Sequence, residues 1–98
     1  MHTKNLIFGE ARHPHNPERS CGGSSGGDAG LIAARCIPCG LGNDVGGSVR
    51  FPAAFCGVYG LKPTTARVAN RGVPKARRFR FGIPGHLESM IGPIGIST

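Results

Sequence analysis

Tryptophan is absent from this chain, tyrosine occurs once, and only five of the 98 residues are acidic. With aromatic residues at 6% and hydrophobic residues at 39%, the core this chain can bury is thin, so a small domain or a piece of a larger one is expected. No apolar run approaches the roughly 20 residues that cross a bilayer, which excludes a transmembrane helix. The N-terminal "MHTKNLIFGEARHPHNP" has no signal-peptide apolar stretch, and no N-x-S/T site occurs anywhere. An intracellular setting is therefore expected, in which Cys21, Cys36, Cys39 and Cys56 are thiols rather than a disulfide framework. A G-x-G-x-x-G fingerprint and a Walker A loop are also missing, since "GLGNDV" lacks the third glycine and "GLKPT" the Gly-Lys-Ser/Thr order, and this removes nucleotide binding.

What the chain has in excess is glycine, 17 residues, concentrated at two places. In "GNDVGGSVRFPAAFCG", residues 42–57, two glycines precede Ser48. Glycine loses more backbone freedom on ordering than any other residue, so adjacent pairs need an offsetting benefit. A tight turn would point the consecutive N–H groups of Val45, Gly46, Gly47 and Ser48 into one space beside the Ser48 hydroxyl, an anion nest of the kind that stabilises a developing oxyanion. The second place is "CGGSSGG", residues 21–27, where Ser25 and Asp28 form an [ST]-x-x-[DE] capping signal and Ser24 stands just outside the helix N-terminus. A serine nucleophile also needs a base, and His2, His13, His15 and His86 sit in no recognisable triad motif.

The coarse pattern predicts an extended, irregular arm over 1–20, a helix over 26–35, a strand over "CIPCGL" (36–41), a helical turn around Pro52–Phe55 closed by Gly57, and a second strand in "VYGLK" (58–62). Helix between strands indicates an α/β layer. Regularity fades after Pro63, and the +7 net charge falls entirely in residues 50–98, which hold eight Lys/Arg against Glu88.

Residues 22–68, "GGSSGGDAGLIAARCIPCGLGNDVGGSVRFPAAFCGVYGLKPTTARV", resemble the core of the amidase signature family, with weaker likeness through "NLIFGEARHPHNPERS" and "SMIGPIGIST". The resemblance implies a mixed β-sheet core flanked by helices, a Ser–Ser–Lys mechanism on amide substrates, and no metal or cofactor. By the match, Ser48 is the acyl-accepting nucleophile and Ser24 the proton-shuttling middle serine that follows a cis peptide, with Ser25, Arg50 and Asp28 in supporting places. Phe51 after Arg50 is similar to the fatty acid amide hydrolase branch, which implies a fatty acyl amide substrate and association with a membrane surface; the tRNA amidotransferase A subunits usually carry Gln there.

The chain departs from the pattern at three points. No lysine matches the family's upstream base, Lys4 included; Cys21 stands where Pro is usual, and Asp28 where Glu is common. The family domain is several times longer, so residues 1–98 read as a partial domain, with the motif core at 22–68 and a basic, irregular segment at 69–98. Such a piece is expected to fold poorly and to lack turnover by itself. Three other readings compete. An A subunit of a glutamine-dependent tRNA amidotransferase fits the same motifs. A non-catalytic basic module would use "KARRFRF" (75–81), whose interleaved aromatics suit single-stranded nucleic acid or anionic lipid, although a solvated loop face is the commoner use of such a run and nucleic acid is not expected. Cys36-x-x-Cys39 has no second CxxC to complete a zinc site and falls in a stretch expected to be a buried strand.

Overall fold

The computed structural model describes residues 1–64, 67–68 and, as backbone, 91–95. It is a small α/β piece with two helices and a few short strands, every pairing antiparallel. Residues 69–90, with the "KARRFRF" run, lie outside the described residues.

The N-terminal 20 residues, expected to be irregular, form two hairpins: β1 (Lys4–Asn5) with β2 (Gly9–Glu10), and β3 (Arg12–His13) with β4 (Asn16–Ser20). Side chains that mimic backbone acceptors make the turns. Asn5 Oδ1 accepts the N–H groups of Ile7 at 2.9 Å and Phe8 at 2.8 Å, and Gly9 closes the loop at φ +74°. Neither hairpin has an alternating apolar face, which is the signal a strand normally leaves in a sequence.

Helix α1 runs Gly26–Ala33, two residues shorter than expected. It ends in a Schellman arrangement, with Arg35 N–H on the Ile32 carbonyl (2.9 Å) and Cys36 N–H on the Leu31 carbonyl (2.8 Å), and Arg35 in the left-handed region at φ 59°. Its start differs from the expected capping box. Ser25 is the N-cap by position, but at φ −85°, ψ 35° it leaves the extended region that aims a cap hydroxyl, and it makes no capping bond. Thr3 supplies the cap instead, its Oγ1 accepting the Gly26 N–H at 2.9 Å.

Strand β5 is Cys39–Asn43, displaced from the expected 36–41 because Cys36 belongs to the helix stop. Helix α2 covers Arg50–Cys56, longer than the expected turn and ending as expected at Gly57, which is left-handed at φ 68°. Strand β6 keeps only Tyr59–Gly60 of "VYGLK". Between β5 and β6 lies β7 (Ile91–Gly95), in a region expected to have no regular structure. Its "IGPIG" puts Pro93 opposite Leu41 in a central strand, a position proline normally avoids.

One face of this three-stranded sheet carries Gly40, Gly42 and Gly60, which let the helices approach closely. An ideal Cβ on Gly42 would sit 2.7 Å from Val49 Cγ2 and nearer still to Ser25 Oγ, and one on Gly60 would sit 2.7 Å from Ala53 Cβ. Among the described residues the core consists of two small clusters, Ile32–Val49–Ala53 and Cys21–Ala29–Cys56, both touched by Val58. All four cysteines are free; Cys21 and Cys56 are buried. Cys36 and Cys39 are exposed, against the expectation of a buried strand there, because β5 turns its glycines and not its Cys39 toward the helices.

Candidate active site

The site grows from the end of β5. Asn43 hands the chain to Asp44, a fully buried carboxylate that organises the next six residues. Its Oδ1 accepts the Gly47 N–H at 2.7 Å, and Oδ2 accepts the N–H groups of Val49 and Arg50, each at 3.2 Å. The Arg50 guanidinium closes on the same group with Nε to Oδ2 and Nη2 to Oδ1, both at 3.0 Å. This bidentate arginine, helped by the three backbone donors, holds the carboxyl well below the usual range against the opposing effect of burial. The turn "DVGGS" is thus wound around a buried anion.

That winding revises the nest. Gly47, at φ +110°, has its N–H committed to Asp44, and the Phe51 ring packs against its Cα. The N–H groups of Val45, Gly46 and Ser48 make no hydrogen bond among the described residues, which leaves three of the four expected donors to meet an anion.

The serine turn of residues 22–25 is placed beside it. The peptide between Gly23 and Ser24 is cis, as the family resemblance implies. Thr3 clamps this segment: its Oγ1 lies 3.0 Å from the Gly22 carbonyl and 2.9 Å from the Ser24 carbonyl while accepting the Gly26 N–H. One bond ties the two serine motifs together, Ser25 N–H to the Ser48 carbonyl at 3.0 Å. Ser24 is exposed, and Ser48 is half-buried with its hydroxyl 3.8 Å from Met1 Sδ. No hydrogen bond joins the two hydroxyls among the described residues.

The remaining expected residues divide. Arg50 is in the site through Asp44, and Ser25 through its backbone and its contact with Gly42. The Asp28 carboxylate, in the first turn of α1, packs on Gly40 of β5. Of the lysines, Lys4 is exposed in β1 and Lys62 donates to the Pro63 carbonyl at 3.2 Å. A cavity of about 180 Å³ lined by His15, Arg35 and Cys56 includes none of the expected site residues. Sequence reasoning missed Asp44 and Thr3. Asp44 had a readable signal, an Asx residue opening a glycine turn. Thr3 had none, being 19 to 23 residues from its partners.

A family profile described as Amidase matches residues 1–96. The chain belongs to the amidase family. Relatives of several kinds share it. The A subunit of the glutamyl-tRNA(Gln) amidotransferase of Thermus thermophilus is 47% identical over 98 residues, 98% of this chain and 19% of that protein. Fatty-acid amide hydrolase 1 of Sus scrofa is 52% identical over 69 residues, 70% of this chain and 12% of that protein. AtzE, the 1-carboxybiuret hydrolase component of a Pseudomonas species, is 51% identical over 70 residues, covering 71% of this chain and 15% of that protein. This amidase chain therefore spans a fifth or less of the length of these relatives, and the comparisons do not favour the fatty acid amide hydrolase branch over the others. Among the described residues no helix is long and apolar enough to cross a membrane.

Proposed function

We propose that residues 1–98 contribute the serine half of an amidase active site, which breaks an amide C–N bond by acyl transfer to Ser48. The amide oxygen lies against the N–H groups of Ser48, Gly46 and Val45 as it gains charge, and Ser48 Oγ attacks the carbonyl carbon. The hydroxyl proton passes through Ser24 to a base outside the matched motifs. It returns by the same route to the leaving amine, after which water or another acceptor takes the acyl group from Ser48. The observation that supports this reading is the 3.0 Å bond from Ser25 N–H to the Ser48 carbonyl, which keeps the two serine turns in fixed relation.

For the substrate, the reading as an amidotransferase A subunit is preferred to a fatty acyl amide hydrolase. The match to such a protein runs over 98 residues, whereas the fatty acid amide hydrolase match covers 69 and that reading otherwise rests on Phe51 alone. The test is a chimera in which residues 1–98 replace the matching span of the Thermus thermophilus protein. The chimera is expected to hydrolyse glutamine and to lose that activity on Ser48→Ala. A folded chimera whose hydrolysis survives Ser48→Ala would remove the proposal; hydrolysis of a fatty acyl anilide in preference to glutamine would restore the fatty acyl reading.

A further inference from the structure

Thr3 stands outside both serine motifs, yet its hydroxyl meets one of them at three points. Oγ1 lies 3.0 Å from the Gly22 carbonyl and 2.9 Å from the Ser24 carbonyl, and it accepts the Gly26 N–H at 2.9 Å. A threonine hydroxyl has one proton and two lone pairs, so the proton serves the two carbonyls and a lone pair takes the N–H. Capping α1 needs only the last of these bonds. The two carbonyls belong to the stretch that carries Ser24, and what they gain from Thr3 is orientation. The Ser24–Ser25 peptide unit is held at both ends, its carbonyl by Thr3 and its N–H by the Ser48 carbonyl at 3.0 Å. Thr3 is itself anchored: its carbonyl accepts the Ala11 N–H at 2.9 Å, and the Ala11 carbonyl accepts the Cys21 N–H at 3.1 Å. Beside it the His2 backbone packs on Gly23, where a Cβ would come within 3.0 Å of the His2 carbonyl group. Within residues 21–26, Ser24 is exposed and the others are buried.

We infer that Thr3 is a positioning residue of this site: its hydroxyl fixes the Ser24–Ser25 peptide plane, and through it the direction in which Ser24 presents its side chain to Ser48. The inference rests on the acyl-transfer reading and deepens it. A proton relay works only within hydrogen-bond reach, about 2.6–3.2 Å between heavy atoms, so a tilt of the plane that moves the Ser24 hydroxyl by about 1 Å breaks it. Replacing Thr3 by valine keeps the β-branched shape and deletes the hydroxyl. The Gly26 N–H and both carbonyls then lose their shared partner, and the plane keeps only its bond to Ser48. Serine in this place restores the oxygen. Among the described residues the bonds of this hydroxyl all go to residues 22–26, so its effect falls on the chemical step rather than on substrate binding.

The test is a mutant cycle in the chimera with the Thermus thermophilus protein. It reads kcat and KM for the amide the chimera hydrolyses best, glutamine or the fatty acyl anilide, together with the rate of fluorophosphonate labelling at Ser48. Thr3→Val should lower kcat and the labelling rate at least about tenfold with KM changed less than about threefold, and Thr3→Ser should recover most of the loss. Because Thr3 acts through Ser24, Thr3→Val combined with Ser24→Ala should be no slower than Ser24→Ala alone. Losses that add in the double variant overturn the inference, as does an unchanged kcat in Thr3→Val or a Thr3→Ser chimera as slow as Thr3→Val. Thr3→Ala is read in the same way where the valine variant does not fold. Failure of both to fold beside a folded Thr3→Ser chimera would make the hydroxyl a helix cap alone, which also overturns the inference. Hydrolysis that survives Ser48→Ala would remove the acyl-transfer reading and this inference with it, whereas hydrolysis lost in Ser48→Ala with additive Thr3 and Ser24 effects removes this inference alone.

Discussion

Replacing Asp44 by Asn separates the charge of this residue from its shape. Asp44 is fully buried and accepts five hydrogen bonds on two oxygens, three from backbone N–H groups and two from Arg50. Asparagine keeps one acceptor and sets an NH2 group against donors on the other side. If the amide nitrogen takes the Oδ1 place, it meets Gly47 N–H and Arg50 Nη2; in the Oδ2 place it meets Val49 N–H, Arg50 N–H and Arg50 Nε. A buried N–H left unsatisfied costs about 1–3 kcal/mol. The Arg50 side chain is half exposed and can rehydrate, so its share is discounted, and the total comes to about 2–4 kcal/mol. Because the folded carboxyl is held below its ordinary value, its stabilisation is complete above the usual carboxylate range near pH ~4 and is lost as pH falls below it. Urea unfolding of the chimera, followed by a probe placed in this segment, should therefore show the wild type losing stability on acidification while Asp44→Asn starts lower and has a flatter acid limb. The turn that aims Ser48 should loosen with it, slowing serine labelling by fluorophosphonate. A loss under about 0.5 kcal/mol with an unchanged acid limb would refute the claim that the turn is wound around this anion.

Three further outcomes follow from the same geometry. Arg35→Gly should stabilise the segment by about 0.5–1 kcal/mol in the same unfolding assay, since a left-handed C′ position penalises any residue with a Cβ and the gain is reduced by the added freedom of glycine when unfolded. Gly42→Ala should destabilise by about 1–3 kcal/mol, because its methyl would press on Ser25 Oγ and Val49; melting at the wild-type temperature would contradict the close approach of β5 and α1. Cys56 is pushed up to about 12, first by burial and then by the Cys21 thiol beside it, so iodoacetamide at pH ~8 should modify Cys36 and Cys39 and spare Cys56, as a peptide map would read.

Much of the site was readable and much of its frame was not, for a physical reason. The glycine turns, Ser24, Ser48 and the Gly57 stop announce themselves through local backbone demands, and local demands leave local sequence signals. Long-range partners leave none. Thr3 caps α1 from 23 residues away, and it displaces the cap that Ser25 and Asp28 advertise. Strand β7 hides because "IGPIG" shows no apolar–polar alternation and carries a proline in its middle, the two features that argue against a strand in a sequence. The N-terminal hairpins hide for the opposite reason: side chains of Asn5 and His13 accept the turn N–H groups, and no buried face underlies the strands. The bond from Gly47 N–H to the buried Asp44 carboxylate likewise leaves no mark in the glycine pair that advertises the turn.

The central claim is that one of the two serines, Ser48, takes the acyl group and the other serves it. The direct measurement is the position of a fluorophosphonate adduct in the chimera, mapped by mass spectrometry in wild type, Ser48→Ala and Ser24→Ala. Ser48 should carry the adduct in the wild type, lose it in Ser48→Ala, and gain it at least tenfold more slowly in Ser24→Ala, because removing a proton relay slows attack without moving it. An adduct on Ser24 that persists in Ser48→Ala would reverse the two roles and contradict the account.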